Sequence, residues 1–149
     1  MKILISFICF ISFSTPIMSQ TKQKPVFNHA SVYVTDLKKS VDFYLNIIGF
    51  DSVPEPFKDG KHAWFRIGPA TTLHVIEGAD ARKDYFRSNH LCFSVSSIEN
   101  FMSVLKKNNI EWEDSKGNKF AITTRADGIK QIYFKDPDGY WIEMNNDVE

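Results

Sequence analysis

Asn28-His29-Ala30-Ser31-Val32-Tyr33-Val34 returns sixty-one residues later as Asn89-His90-Leu91-Cys92-Phe93-Ser94-Val95. Both stretches alternate apolar and polar positions, the period of a strand with one buried face. The same offset lays Leu37 on Ile98, Val41 on Met102 and Tyr44 on Leu105. Those positions stand at i, i+4 and i+7, the apolar stripe of an amphipathic helix. Asp36 and Ser97 precede the two helices as N-caps, and Gly49 follows the first as a C-cap. A strand, a turn and a helix of about ten residues therefore occur twice.

Working outward, each copy continues into three further strands. In the first they are expected near 50–53, 62–67 and 71–76. In the second they are expected near 111–114, 131–134 and 140–144. Asp136-Pro137-Asp138-Gly139 supplies the tight turn before the last strand. Each module thus reads β-α-β-β-β, module one spanning 25–77 and module two 88–147, within one domain at 25–147. Residues 77–88 form a polar connector, and 116–127 a longer loop with no counterpart in module one. The fold class is α+β. One helix covers one face of a four-stranded sheet, so two such modules leave a curved mixed sheet around an open trough, a natural place for a site.

The chain is 149 residues long, with 18 basic and 18 acidic residues, 43% hydrophobic and 14% aromatic content. That composition excludes a wholly disordered chain. Zero net charge excludes the basic excess of a nucleic-acid binder. Residues 1–19 read as an export signal: Lys2, then an apolar run from Ile3 to Phe13, then Ser14-Thr15-Pro16 and the small Ser19. The expected mature protein is periplasmic or secreted and has no membrane segment, since no later stretch is long and apolar enough to span a bilayer. Cleavage also removes Cys9, leaving Cys92 with no intrachain partner.

Strand alternation assigns the histidines. Ala30, Val32 and Val34, and their repeats Leu91, Phe93 and Val95, pack on the helices. His29, Ser31 and Tyr33, with His90, Cys92 and Ser94, then face the trough. On the last strands Leu73 and Val75 pack inward, as do Tyr140, Ile142 and Met144. His74 faces the trough, as do Trp141, Glu143 and Asn145. Three imidazoles and a carboxylate on one face, His29, His74, His90 and Glu143, make a donor set for a divalent transition metal. His62, the fourth histidine, shares its parity with Trp64 and Arg66 and lines the same face.

The stretches "NHASVYVTDLKKSVDFYLNIIGF", "TTLHVIEG", "NHLCFSV" and "IYFKDPDGYWIEMNN" resemble the vicinal oxygen chelate superfamily of glyoxalase I, bleomycin-resistance proteins and extradiol dioxygenases. The likeness covers most of residues 26–146. It implies metal ligands on the first and last strands of each module, the positions of His29, His74, His90 and Glu143. It also implies a small oxygenated substrate chelated through two neighbouring oxygens. The chain departs at His74, where glyoxalase I usually carries Glu.

The expected cofactor is one divalent transition metal: Zn, Ni, Co, Mn or Fe. The leading expectation is a glyoxalase I-like lyase or isomerase with Glu143 as catalytic base. Alternatives are a metal-dependent dioxygenase and a ligand-sequestering resistance protein. Tyr33, His62, Trp64 and Arg66 are candidate substrate contacts, and Phe57, Trp64, Phe120 and Trp141 candidate trough walls. Pairing of the two modules within one chain is the favoured arrangement, with a homodimer as the other.

Overall fold

The computed structural model describes residues 23–148, so the expected signal at 1–19 lies outside the described residues. Module one runs β1 (His29–Val34), α1 (Leu37–Asp42), a π-helical turn (Phe43–Ile48), β2 (Asp51–Val53), β3 (His62–Gly68) and β4 (Thr71–Glu77). Module two runs β5 (His90–Ser94), α2 (Ile98–Lys107), β6 (Trp112–Glu113), β7 (Thr123–Thr124), β8 (Lys130–Lys135) and β9 (Trp141–Asn145). The sheets have the order β1-β4-β3-β2 and β5-β9-β8-β6, with β7 pairing on β8. In each, the first strand pairs in parallel with the last and the remaining pairs are antiparallel. The α+β reading from the repeat stands.

The local signals act as expected. The Asp36 carboxylate accepts from the Lys39 amide at 3.0 Å, and the Ser97 hydroxyl from the Asn100 amide at 3.2 Å. Each satisfies an N-terminal donor that the helix itself leaves unpaired. Gly49 takes the left-handed conformation, φ 86°, which costs a residue without Cβ little. One expectation needs refining. Within 116–127, Thr123 and Thr124 form the short strand β7 against Gln131 and Lys130.

One continuous core joins the modules. Val32, Val34, Phe65, Leu73 and Val75 come from module one, and Ile98, Leu105, Ile132, Phe134, Ile142 and Met144 from module two. The first helix serves both. Tyr44 packs against Phe65 of its own sheet, while its neighbour Phe43 meets Phe134 of the other. Beneath them the 136–139 turn acts as a polar clamp. Asp136 accepts from the Tyr44 hydroxyl at 2.7 Å. Asp138 accepts from the Thr35 amide and hydroxyl at 2.7 and 2.8 Å and from Ser40 at 3.0 Å. Burial dominates the Asp136 carboxyl and raises it from the ordinary 3.8 to about 6.

Candidate functional site

The trough faces follow from strand register. In module one, Ser31, His74 and Trp64 lie side by side across β1, β4 and β3. In module two, Cys92, Glu143 and Tyr133 lie side by side across β5, β9 and β8. Alternation thus placed the histidines and Glu143 on the faces expected.

Module one builds an aromatic stack. The Trp64 ring lies 4.0 Å from His74 and nearly parallel to it, and His29 lies 4.2 Å from His74 on a plane tilted by 9°. His74 Nε2 sits 2.9 Å from the Thr72 hydroxyl, and His29 Nδ1 sits 2.8 Å from the Asn28 side-chain oxygen. Burial, then the nearby His29 and His62, push the His74 imidazole below its ordinary value. That shift favours the neutral ring, the form that can ligate. His62 stands 2.9 Å from Asp59 and beside Phe57, whose ring also meets Trp64 edge-on.

Module two builds a hydrogen-bonded pair. His90 Nδ1 lies 2.7 Å from the Arg87 carbonyl oxygen. A carbonyl only accepts, so Nδ1 carries the hydrogen and donates. His90 Nε2 then faces Glu143 Oε2 at 3.3 Å. Glu143 is 7% exposed. Its other oxygen, Oε1, accepts from the Asn145 amide at 3.3 Å and faces the Cys92 thiol at 3.5 Å. Burial, then the Glu143 charge, push that thiol up to about 12, so it stays protonated. Burial and the same carboxylate also raise the Tyr133 phenol well above its usual value. Sequence reasoning missed Tyr133 and Arg87. Tyr133 was legible as a trough-facing residue by parity with Gln131 and Lys135, whereas Arg87 sat in what read as connector.

With Nδ1 donating to the Arg87 carbonyl, His90 presents Nε2 to a carboxylate oxygen. Two acceptors at that separation call for a positive centre between them, a proton or a cation. In donor chemistry this pair fits a divalent metal. Among the described residues, no group of three or more His, Cys, Asp and Glu side chains is placed to hold a metal ion. The favoured intrachain assembly of His29, His74, His90 and Glu143 is therefore not met. The chain carries two half-sets, on sheets whose first strands β1 and β5 are both edge strands, with Ser31 and Val32 lining a common groove with His90 and Leu91.

The remaining expected contacts are dispersed. Tyr33 is half exposed and lies at the seam between modules, its amide donating to the Tyr140 hydroxyl at 3.0 Å. Arg66 is exposed and reaches the Pro69 carbonyl. Phe57 and Trp64 form one wall. Trp141 forms another, its ring under Lys135 and its Nε1 donating to the Tyr85 carbonyl at 2.9 Å. Phe120 instead packs edge-on against the buried Trp112. Beside Tyr133 and Trp141 opens a cavity of about 390 Å³, rimmed by Arg82, Glu111, Lys119 and Lys135.

Comparison with known proteins agrees with this architecture. The lactoylglutathione lyase of Pseudomonas putida is 28% identical, over 80% of this chain and 83% of its own. The metallothiol transferase FosB of Staphylococcus saprophyticus is 29% identical, over 79% of this chain and 74% of its own. Among solved structures, the oxidase ChaP-H2 superposes with a TM-score of 0.69 at 22% identity, over 85% of this chain and 96% of that one. A family model matches residues 26–144, and by that match the chain belongs to the Glyoxalase/Bleomycin resistance protein/Dioxygenase superfamily.

Proposed function

We propose that this protein is a metal-dependent lyase or isomerase of the glyoxalase I kind, with a site assembled from two copies of the chain. His29 and His74 of one copy would join His90 and Glu143 of the other to hold one divalent transition metal. The observation that carries this reading is the split itself. Two complementary half-sets, one of imidazoles and one with the carboxylate, stand on sheets that end in the edge strands β1 and β5. An open edge is a template for a second chain, and a two-fold dimer would bring each edge to its complement twice.

When bound, such a cation supplies Lewis-acid stabilisation of negative charge developing on a substrate oxygen. The protein's part is proton transfer at Glu143. Asn145 and Cys92 hold Oε1, which leaves Oε2 as the oxygen that takes a proton from substrate carbon and returns it to the neighbouring carbon. Cys92, protonated throughout, is a donor to this carboxylate and not a nucleophile. Trp64 and Phe57 on one side and Trp141 on the other wall the trough against water. The substrate class is a small molecule with two vicinal oxygens, lactoylglutathione and its precursors being the first to assay. The reading of residues 1–19 as a cleaved signal adds an exported location, testable by N-terminal sequencing of the mature protein.

The experiment is subunit mixing. His74→Ala and His90→Ala each damage a different half-set, so either homodimer has two broken sites. In a mixed dimer both lesions fall in one site and the other is intact. Random mixing should therefore restore about one quarter of the wild-type metal content, as two-fold symmetry requires. No recovery on mixing, with each variant folded and dimeric, rejects the shared site. Absence of metal from wild-type protein refolded with Zn, Ni, Co, Mn or Fe rejects the metal-dependent reading altogether.

A further inference from the structure

We propose that Arg87, at the end of the connector between modules, is a positioning residue that sets the tautomer and aim of His90. The inference rests on the reading of His90 as a ligand.

Two ends of Arg87 do different work. Its main-chain carbonyl accepts from His90 Nδ1 at 2.7 Å and thereby leaves Nε2 directed at Glu143. That carbonyl belongs to a stretch with no strand or helix of its own, so something else has to hold it still. The guanidinium does so. It bonds the Glu113 carboxylate, the Asp114 carbonyl at 3.1 Å and the Ser115 carbonyl. Its carbon also lies 5.2 Å from the centre of the Tyr133 ring. A planar fork that spans a carboxylate and two carbonyls while lying near an aromatic ring is a task suited to Arg and poorly to Lys.

The grip closes on the site from both sides. Tyr133 pairs across the sheet with Glu143, and its ring meets His90 edge-on at 5.5 Å. Gln131 donates to the Tyr133 hydroxyl at 2.6 Å, which leaves the phenolic hydrogen free to point elsewhere. Arg87 therefore touches one neighbour of Glu143 and orients the imidazole that faces Glu143. Partners of this kind, one bond behind a ligand, typically change metal affinity by about 10–100-fold when removed.

The test uses the whole chain and two readouts. In metal-free protein at about pH 8, above the ordinary imidazole value of about 6.5, nitrogen-15 NMR identifies the His90 tautomer directly. Titration with Co(II), followed by its visible absorption, reports affinity and ligand geometry. Arg87→Met should mix the two His90 tautomers and weaken Co(II) by about tenfold or more, while Arg87→Lys should recover only part. Glu113→Gln removes the anchor charge without touching His90 and should move both readouts in the same direction by less. A folded Arg87→Met protein with a single Nδ1–H tautomer and wild-type Co(II) affinity overturns the proposal. Should that variant fail to fold, wild-type behaviour of Glu113→Gln in both readouts overturns it instead. If wild-type protein binds no Co(II), the metal reading falls, and the tautomer ratio in metal-free protein still decides the role of Arg87.

Discussion

The two modules share a scaffold and differ in what holds their donors. In module one, His29, His74 and Trp64 are held largely by ring stacking, with one hydroxyl and one side-chain oxygen as polar partners. In module two, His90 is held by a hydrogen bond to the Arg87 carbonyl and Glu143 by hydrogen bonds from Asn145 and Cys92, with Glu143 buried. One half thus offers imidazole nitrogens on an aromatic platform. The other offers a fixed carboxylate whose free oxygen faces an imidazole. The repeated strand and helix thus carry two different ways of holding donors, and each half is open to a separate test.

The largest effect should come from the charged half. Glu143→Gln nearly preserves shape and hydrogen-bonding reach but removes the negative charge and the proton acceptor. If module two carries the base, turnover of any substrate that the wild type converts should fall by about 10²–10⁴-fold, the usual worth of a general base. Part of the metal should stay bound through the remaining imidazoles. Full turnover by this variant would place the chemistry elsewhere and end the proposed contrast between the halves.

The clamp joining the modules should show next, through pH. Asp136 is raised to about 6 in the folded protein, chiefly by burial, against an ordinary 3.8. The folded state therefore holds this proton more tightly than the unfolded state. Its contribution to stability is complete below about pH 4 and is lost as pH rises through about 6, a change of up to about 3 kcal/mol. Asp136→Asn cannot ionise, and its stability should lack that step. Relative to wild type, the variant should gain between pH 4 and pH 7 in urea unfolding. Parallel curves for the two proteins would show that Tyr44 and the backbone amides fully compensate the buried charge.

These elements also mark what the sequence could and could not reveal. The repeat at 28–34 and 89–95 carried the strand–helix frame, and alternation placed His74 and Glu143 on their faces, because both are local, periodic signals. The Asp-Pro-Asp-Gly turn was legible as a turn but not as a clamp, since Thr35, Ser40 and Tyr44 reach it from some hundred residues away. The π-helical turn at Phe43–Ile48 left no periodic trace. Phe43 and Tyr44 are adjacent and both buried because their rings pack on different modules. Division of the four donors into two pairs depends on how the modules pack, through contacts such as Phe43 on Phe134, and nothing in the spacing of the histidines encodes that packing.

A smaller effect tests the clamp from its other end. Tyr44→Phe removes the hydroxyl that donates to Asp136 at 2.7 Å while leaving the ring packed on Phe65. Losing one partner of a buried carboxylate should cost about 1–3 kcal/mol, measured by denaturant unfolding at neutral pH. Because the loss matters most when Asp136 is charged, the cost should shrink at about pH 4. A cost that does not vary with pH would assign it to packing and detach Tyr44 from the titration of Asp136.

The smallest expected effect sharpens the comparison most directly. If module one's donors are held by stacking, the interaction at risk is the Trp64–His74 contact at 4.0 Å, and aromatic pairs of this kind contribute about 0.5–1.5 kcal/mol beyond burial. Trp64→Leu keeps an apolar side chain on the trough face but removes the ring. Co(II) affinity should then weaken by roughly fivefold, the equivalent of about 1 kcal/mol. Trp64→Phe, which restores an aromatic face, should recover most of it. The His90 tautomer should not change in either variant, because the partner that sets it is the Arg87 carbonyl, outside module one. A Trp64→Leu protein that loses metal as severely as Arg87→Met would mean that the stack organises the site as strongly as the hydrogen bonds do. A variant with unchanged affinity would leave His29 and His74 oriented by Asn28 and Thr72 alone, reducing Trp64 to a wall of the trough.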